Sequence, residues 1–387
     1  MCARICLLLA CLATPTSAEQ TPQVERIMQI VLSQRGDPRS VAHLVQLARN
    51  LEPTSAASLY QQVAHRYLQD GHFDLAAEVL RQLLKQYANQ PAACDGLSTL
   101  LQLYASGEVA HAETIGSAKR RSEHKRAGLF TFGIHLADQA FREHPAWAER
   151  PSMAFQFSVA SRLSGQSQTA QGWLTQLKRA RSAEPWRARA LVEGWLQTNR
   201  EEDAPLPVLC CPRTEKSPHL DGVLEESLWE SGASTVAEKD PPTEVWLARD
   251  DQFLYLAVRC RKIPGIEYEA DTRPRSYDAD LADHDHVQIS LDVDRDYATA
   301  YRLSIDCRGW TADTCWRNIS WNPRWFVASG EEKTHWTVEA AIAWSQLTAA
   351  PPNPGGAWAC AISRHPPGHS DQLPRSSSDK YALLLFP

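Results

Sequence analysis

The chain has 387 residues, a formal net charge of −6 and a pI near 6.1. That length accommodates two or three domains, each able to bury an adequate core. The mild acidity supplies no global basic field for nucleic acid. Tryptophan is the compositional outlier. Nine of the thirteen lie beyond residue 220, and in a β-domain that density signals a thick aromatic core, a stacking surface, or both.

Residues 1–18 read as a signal peptide. Arg4 supplies a short positive start, and Ile5 to Ala13 form an apolar run too short to span a membrane. Thr16-Ser17-Ala18 then places small residues before a cut at Glu19. A second reading competes: Leu8-Leu9-Ala10-Cys11 resembles a bacterial lipobox, which would lipidate Cys11. Either way the mature chain is expected outside the cytoplasm, secreted or periplasmic, or lipid-anchored through Cys11. No other apolar run is long enough to cross a membrane.

Cys94, Cys210, Cys211, Cys260, Cys307, Cys315 and Cys360 follow. Cys307 and Cys315 could close a short loop and Cys260 and Cys360 could join strands; buried unpaired thiols are the other reading. The lack of a C-x-x-C pair argues against structural zinc.

Residues 19–200 carry helix-period apolar faces. Leu59, Tyr60, Val63, Ala64 and Tyr67 line one helix, ending at Asp70-Gly71. Phe73, Ala76, Val79, Leu80, Leu83 and Tyr87 line the next, which Asn89-Gln90-Pro91 ends. Gly71 suits the left-handed turn between them. This unit resembles a tetratricopeptide repeat. A second copy starts near Ala93 and runs through Leu97, Leu100, Leu101, Tyr104 and Gly107; a degenerate third passes Gly165, Ala170, Trp173, Leu174 and Leu177. Between them one long helix is expected from about Glu108 to Arg126, with a basic cluster at Lys119, Arg120, Arg121, Lys125 and Arg126. Such arrays stack into a groove that binds peptides or other domains, or serve as spacers.

Residues 201–217 hold Pro205, Pro207 and Pro212 and read as a linker. Beyond it, in residues 218–387, the period changes to two. Strands are expected over 243–249, 253–258, 287–293, 301–305, 325–328, 336–341, 358–363 and 381–386. The fold class is therefore multidomain α + β: an N-terminal all-α helical-repeat array and a C-terminal antiparallel β-sandwich.

Five pieces of the C-terminal part appear in a recognisable order. They are Leu220-Asp221-Gly222 through Trp229, Val245-Trp246 through Leu256, Asp285-His286-Val287-Gln288-Ile289-Ser290-Leu291-Asp292, Trp336-Thr337-Val338-Glu339, and Trp358 to Arg364. Together they resemble a family 9 carbohydrate-binding module, within the wider DOMON-like β-sandwich group. The resemblance implies carbohydrate binding, a place in carbohydrate catabolism beside hydrolases, and structural calcium. It also carries two departures. One sugar-clamping Trp of the family falls at Ala282, and the second falls at Arg375.

The residues offer substitutes. Sugars present apolar C–H faces and a polar rim, so aromatic faces with carboxylates and amides suit them. Trp321, Trp325 and Tyr277, with Arg324 and Asn322, are the candidates, and two or more of the tryptophans over 310–325 could instead be core. For metal, residues 267–296 hold ten acidic side chains against three arginines, a density of hard oxygen ligands that suits Ca²⁺ or a solvated acidic rim. Asp292, Asp294 and Asp296 lead, with Asp283 and Asp285 next. Nucleophile-elbow, zincin and phosphate-loop motifs are missing, so the chain reads as a non-enzyme. Two functions remain. One is a non-catalytic binder of a polysaccharide or oligosaccharide. The other is a scaffold whose helical repeats bind a protein partner and whose sandwich has lost sugar binding.

Overall fold

The computed structural model describes residues 17–34, 36–115, 123–181, 184–198, 203–231, 235–239, 242–266, 268, 278–367 and 381–387. The signal-peptide reading of residues 1–16 therefore lies outside the described residues, as do the basic residues Lys119, Arg120 and Arg121. The helices are α1 (Ser17–Leu32), α2 (Arg39–Ala48), α3 (Pro53–Gln69), α4 (Phe73–Tyr87), α5 (Pro91–Ala105), α6 (Gly107–Ile115), α7 (Glu123–Glu143), α8 (Pro145–Ala148), α9 (Pro151–Leu163), α10 (Ser167–Arg179) and α11 (Trp186–Trp195). Where one helix was expected over 108–126, α6 ends at Ile115 and α7 begins at Glu123. None of the described helices is long and apolar enough to cross a membrane.

The chain divides into two compact units, residues 1–68 with 72–97 and residues 69–71 with 98–387. In the first, Leu44, Leu59, Tyr60, Val63, Tyr67, Leu80 and Leu83 are buried, as their helical spacing requires. The Tyr67 hydroxyl donates to Ser40 Oγ at 2.6 Å and ties α3 to α2. Gly71 takes φ +74° between α3 and α4, the left-handed turn that favours glycine.

The second unit corrects two expected boundaries. Residues 19–200 were expected to form one helical domain, separated by a linker from the sandwich. Instead α6 to α11 belong with the sheets. The physical reason is a shared core: Phe155, Val159, Leu174, Leu177 and Ala190 pack with Tyr297, Ala359, Ala361 and Tyr381, and Leu206 joins them. Residues 201–217 are not a linker either. Val208–Cys210 form β1, which pairs in parallel with the last strand, and Leu383 N donates to Pro207 O at 2.7 Å. Prolines at 205, 207 and 212 flank this short strand rather than interrupt its ladder.

The remaining elements are α12 (Ser227–Ser231), β2 (Thr235–Lys239), β3 (Pro242–Arg249), β4 (Phe253–Arg261), β5 (His286–Asp292), β6 (Tyr301–Asp306), β7 (Thr311–Cys315), β8 (Trp325–Glu331), β9 (His335–Ala343), α13 (Trp344–Leu347), β10 (Gly356–His365) and β11 (Ala382–Phe386). One sheet runs β1-β11-β10-β5-β6-β7 and the other β2-β3-β4-β9-β8. Among the described strands, every ladder apart from β1 with β11 is antiparallel. All eight strands read from the two-residue period are present. β1, β2 and β7 were missed; β7 carries Asp313 between threonines, without the apolar alternation that marks a strand.

β5 lies inside its sheet, between β10 and β6, with Ile289 opposite Ile362 and Leu303. Val287, Ile289 and Leu291 are each buried. All seven cysteines named above carry free thiols, and Cys94, Cys211, Cys260, Cys315 and Cys360 are buried. Burial pushes Cys260 and Cys360 each up to about 12, so both stay protonated at neutral pH.

Candidate functional site: buried carboxylates and aromatic faces

The five sequence pieces converge on three polar nodes, two of them buried and the third, at Asp250, half-buried. In the first, Arg364 grips Asp285 with two nitrogens; Nε donates to Oδ1 at 2.9 Å and Nη2 to Oδ2. Trp336 Nε1 and the Tyr268 hydroxyl also donate to Asp285 Oδ2, at 2.9 and 2.8 Å. In the second, Glu339 accepts from Trp229 Nε1 at 3.0 Å and from the backbone N–H of Gly222 and Asp221 at 2.9 and 3.1 Å. Gly222 is obligatory there: its φ is +84°, and a Cβ would sit 2.4 Å from the Ser329 carbonyl carbon. In the third, Asp250 accepts from Gln252 N and Phe253 N, each at 2.7 Å, and from the Tyr255 hydroxyl at 2.6 Å. Each carboxylate answers donors that strands or turns would otherwise bury without partners. These signature residues hold the sandwich together.

Asp285 is thereby committed to Arg364, and the expectation that it ligates metal is corrected on that ground. Asp283 is exposed at the foot of β5 and is not among the clustered acids described next.

Asp292, Asp294 and Asp296 do come together, with a partner the sequence did not suggest. Glu108, in the first turn of α6, joins them. Glu108, Asp292 and Asp294 each place a carboxylate oxygen within 4.8 Å of the others, and all four side chains are buried. The turn after β5 is wound tightly, with Arg295 at φ +59° and Tyr297 at +55°. Its backbone N–H groups point back at the acids. Tyr297 N and Asp296 N donate to Asp292 at 2.7 and 3.2 Å, and Ala298 N and Thr299 N donate to Asp296 Oδ1, each at 2.7 Å. Thr299 Oγ1 bridges Asp296 and Glu108 at 2.9 and 3.1 Å. Two backbone bonds cross between helix and turn: Gly107 N to Asp294 Oδ2 and Val293 N to Glu108 Oε1, both 2.6 Å.

Burial and mutual repulsion dominate the electrostatics. Burial, then Asp294 and Asp296, hold the Glu108 carboxyl well above the usual range. Burial, then Asp296, Asp294 and Glu108, do the same to Asp292. Burial and then Asp294 push Asp296 up to about 8. Such a group sheds its charge penalty only by taking up protons or a cation. Hard oxygen donors from the three buried acids Glu108, Asp292 and Asp294 are of the type that Ca²⁺ takes.

Beside the acids the turn is clamped by charged side chains of the helices, Arg162, Arg189 and Glu193. Glu193 on α11 accepts from Arg295 Nε at 2.8 Å and lies 3.4 Å from Arg162 Nε. Burial works to raise Glu193, but Arg295 and Arg162 outweigh it and hold its carboxyl below the usual range. Arg189 is buried between the rings of Trp186 and Tyr297, 4.2 and 4.8 Å from their centroids.

The aromatic candidates divide. Trp321 and Trp325 are buried, at 6% and 4% exposure. Trp321 stacks on Tyr301 at 4.6 Å, and the Tyr301 hydroxyl donates to the Glu108 carbonyl at 3.1 Å. As placed, neither ring offers a face to solvent, so the expected platform gives way to core packing. Trp316 is also buried, and Trp310 is half-buried under the Arg308 guanidinium, 3.9 Å from its ring. Arg324 and Asn322 are exposed. Tyr277 and Arg375 lie outside the described residues, and Ala282 is half-buried ahead of Asp285.

One ring was overlooked. Phe326, next to Trp325 on β8, is 59% exposed. The signal was in the alternation: if Trp325 points inward, Phe326 points outward.

No protein-family model and no curated protein sequence matches the chain. Among solved structures it is similar to a family 9 carbohydrate-binding module of Caldicellulosiruptor kristjanssonii in complex with cellotriose. The two are 15% identical with a TM-score of 0.31, over 46% of this chain and 81% of that one. It is likewise similar to a family 9 module of the same organism in complex with glucose, at 14% identity and a TM-score of 0.34, over 46% of this chain and 95% of that one.

Proposed function

We propose that the chain is an exported, non-catalytic carbohydrate-binding protein whose sandwich belongs with the family 9-like modules. The observation that supports it is the convergence of five ordered sequence pieces on the Asp285, Glu339 and Asp250 nodes. The binding partner is a polysaccharide or oligosaccharide, and the place of the protein is in carbohydrate use outside the cytoplasm. A hydrolase needs two carboxyl groups free to act across a scissile bond. Here Asp285 is held by Arg364 and Glu339 by Trp229 and Gly222, which supports a binding role.

The same reading assigns a structural Ca²⁺ to Glu108, Asp292 and Asp294, with Asp296 beside them. The ion would neutralise the buried acids where α6 meets the turn after β5. It would carry no chemistry of its own.

Affinity electrophoresis of the full-length chain through gels containing soluble β-glucan, xylan or mannan, with calcium present, tests the reading. Retardation in at least one gel is expected; free migration in all of them overturns it. A second reading is favoured by the burial of Trp321 and Trp325. In it the tetratricopeptide-like helices α1 to α5 dock a protein partner and the sandwich is an adaptor.

A further inference from the structure

We propose that Phe326 is the stacking site for a pyranose ring of the bound glycan, with Arg324 and Asn322 on the segment leading into its strand. This rests on the carbohydrate-binding reading above and adds a location to it. The location is not the one the family resemblance would assign. Within the β2-β3-β4-β9-β8 sheet, Arg261 pairs with His335 at one end, where the adjacent Trp336 reaches Asp285. Phe326 pairs with Ala341 near the other end, where Phe253 meets Ala343. Phe326 therefore lies toward the end of the sandwich away from Asp285 and Ala282.

The outward face of this sheet explains why the ring is bare. Leu220, Leu224, Leu228 and Trp229 pack over Trp246, Ala248, Tyr255, Ala257 and Ala341. Ala248, Tyr255, Ala341 and Phe326 stand in register across β3, β4, β9 and β8. The cover reaches Ala341 and stops one strand short of the sheet edge, leaving Phe326 uncovered.

The ring is also preorganised. Phe253 meets it edge-on, with centroids 6.1 Å apart and planes at 66°. Phe253 in turn lies 6.0 Å from Tyr255, whose hydroxyl is pinned to Asp250 at 2.6 Å. A ring held this way loses little freedom when a ligand settles on it. Arg324 is exposed just ahead of β8, two residues before Phe326, and its backbone N–H is fixed to Gln346 Oε1 at 3.0 Å. An open aromatic face suits the C–H face of a sugar, and the exposed Arg324 and Asn322 on the segment leading into β8 supply polar groups of the kind its hydroxyl rim takes.

The size of the patch points to the same occupant. One exposed ring beside a half-buried one is far short of the roughly 800 Å² per side that a stable protein interface buries. A single sugar ring is of the right dimension.

Isothermal titration of the full-length protein with cellotriose, xylotriose, mannotriose and laminaritriose tests the site, alongside sedimentation velocity. For whichever glycan binds, Phe326→Ala should weaken affinity at least tenfold, Phe326→Trp should retain it, and Arg324→Ala should weaken it several-fold. Because the ring is exposed, the thermal midpoint of Phe326→Ala should stay near that of the parent. Equal affinity in the parent and Phe326→Ala overturns the site and leaves the carbohydrate reading standing. Binding of none of the four glycans by the parent, with free migration through the polysaccharide gels, removes both. A dimeric parent and a monomeric Phe326→Ala would show that a second copy covers the ring, which also overturns the site.

Discussion

Arg364 and Asp285 form a two-pronged ion pair between neighbouring strands of one sheet, with side chains 1% and 0% exposed. Arg364 lies on β10 and Asp285 just before β5, in one sheet, and Arg364 Nη2 also donates to Arg261 O in the other at 2.7 Å. One guanidinium thus ties two layers. Removing one partner strands a buried charge, which costs about 3–5 kcal/mol. Asp285→Ala should therefore lower the unfolding free energy by about that much in urea titrations. A change below 1 kcal/mol would show that the pair is solvated in solution.

The acid cluster makes a prediction with a defined sign. Glu108, Asp292 and Asp296 have folded-state pKa values above their ordinary ones. The folded chain then holds protons that the unfolded chain releases, so stability falls as pH rises. For Asp296 the window runs from its ordinary 3.8 to about 8. A cation competes with those protons. In EDTA the thermal midpoint should drop between pH 5 and pH 8. The gain on adding millimolar Ca²⁺ should be small at pH 5 and several degrees at pH 8. An identical midpoint with and without calcium at pH 8 would exclude the ion.

Glu108→Gln separates the helix from the turn. The amide keeps the shape and most hydrogen bonds but removes one of four charges. In EDTA at pH 8 the variant should be more stable than the parent, by about 1 kcal/mol or more, because repulsion is relieved. In saturating Ca²⁺ the order should reverse. A substitution that is neutral in both conditions would place Glu108 outside the cluster in solution.

Trp321 should behave as core. It stacks on Tyr301 and is 6% exposed, so Trp321→Ala should cost about 3–5 kcal/mol. Below its lowered unfolding midpoint the variant should still bind whatever glycan the parent binds. Loss of binding in a folded variant would restore Trp321 to the site.

The unit boundary can be tested by truncation. A fragment of residues 205–387 leaves Tyr297, Ala359, Ala361 and Tyr381 without the Phe155, Leu174 and Leu177 that cover them. It should aggregate or unfold without cooperativity, whereas residues 98–387 should melt in one transition. A cooperative melt of the shorter fragment would return the boundary to residues 201–217.

What the sequence revealed follows from what kind of information was local. Alternation marks Val287, Ile289 and Leu291 as a strand from within, so β5 was readable. Helical spacing did the same for Leu59, Tyr60 and Val63. The three polar nodes were readable as separated motifs, because Gly222, Asp250 and Asp285 each need neighbours of a fixed type. Glu108 was not readable. It meets Asp292 through tertiary packing, and nothing in Ser106-Gly107-Glu108 distinguishes it from a surface acid. β1 was hidden by its prolines and by a partner at the far end of the sandwich. The tryptophans over 310–325 were ambiguous by nature, since a ring's chemistry is the same whether it faces a sugar or Tyr301. Only the parity of β8 separated Trp325 from Phe326.

The parallel ladder of Val208–Cys210 with Leu383–Leu385 has a kinetic consequence. The first strand of the sandwich cannot find its partner until the last has been made. Closing so long a loop is slow, because its entropy must be lost before any contact rewards it. β1, made before the rest of the sandwich, stays unpaired until β11 follows it more than 170 residues later. A chain emerging from a ribosome or a translocation pore would spend that interval with an unpaired strand edge, the state in which binding to a holding chaperone matters most.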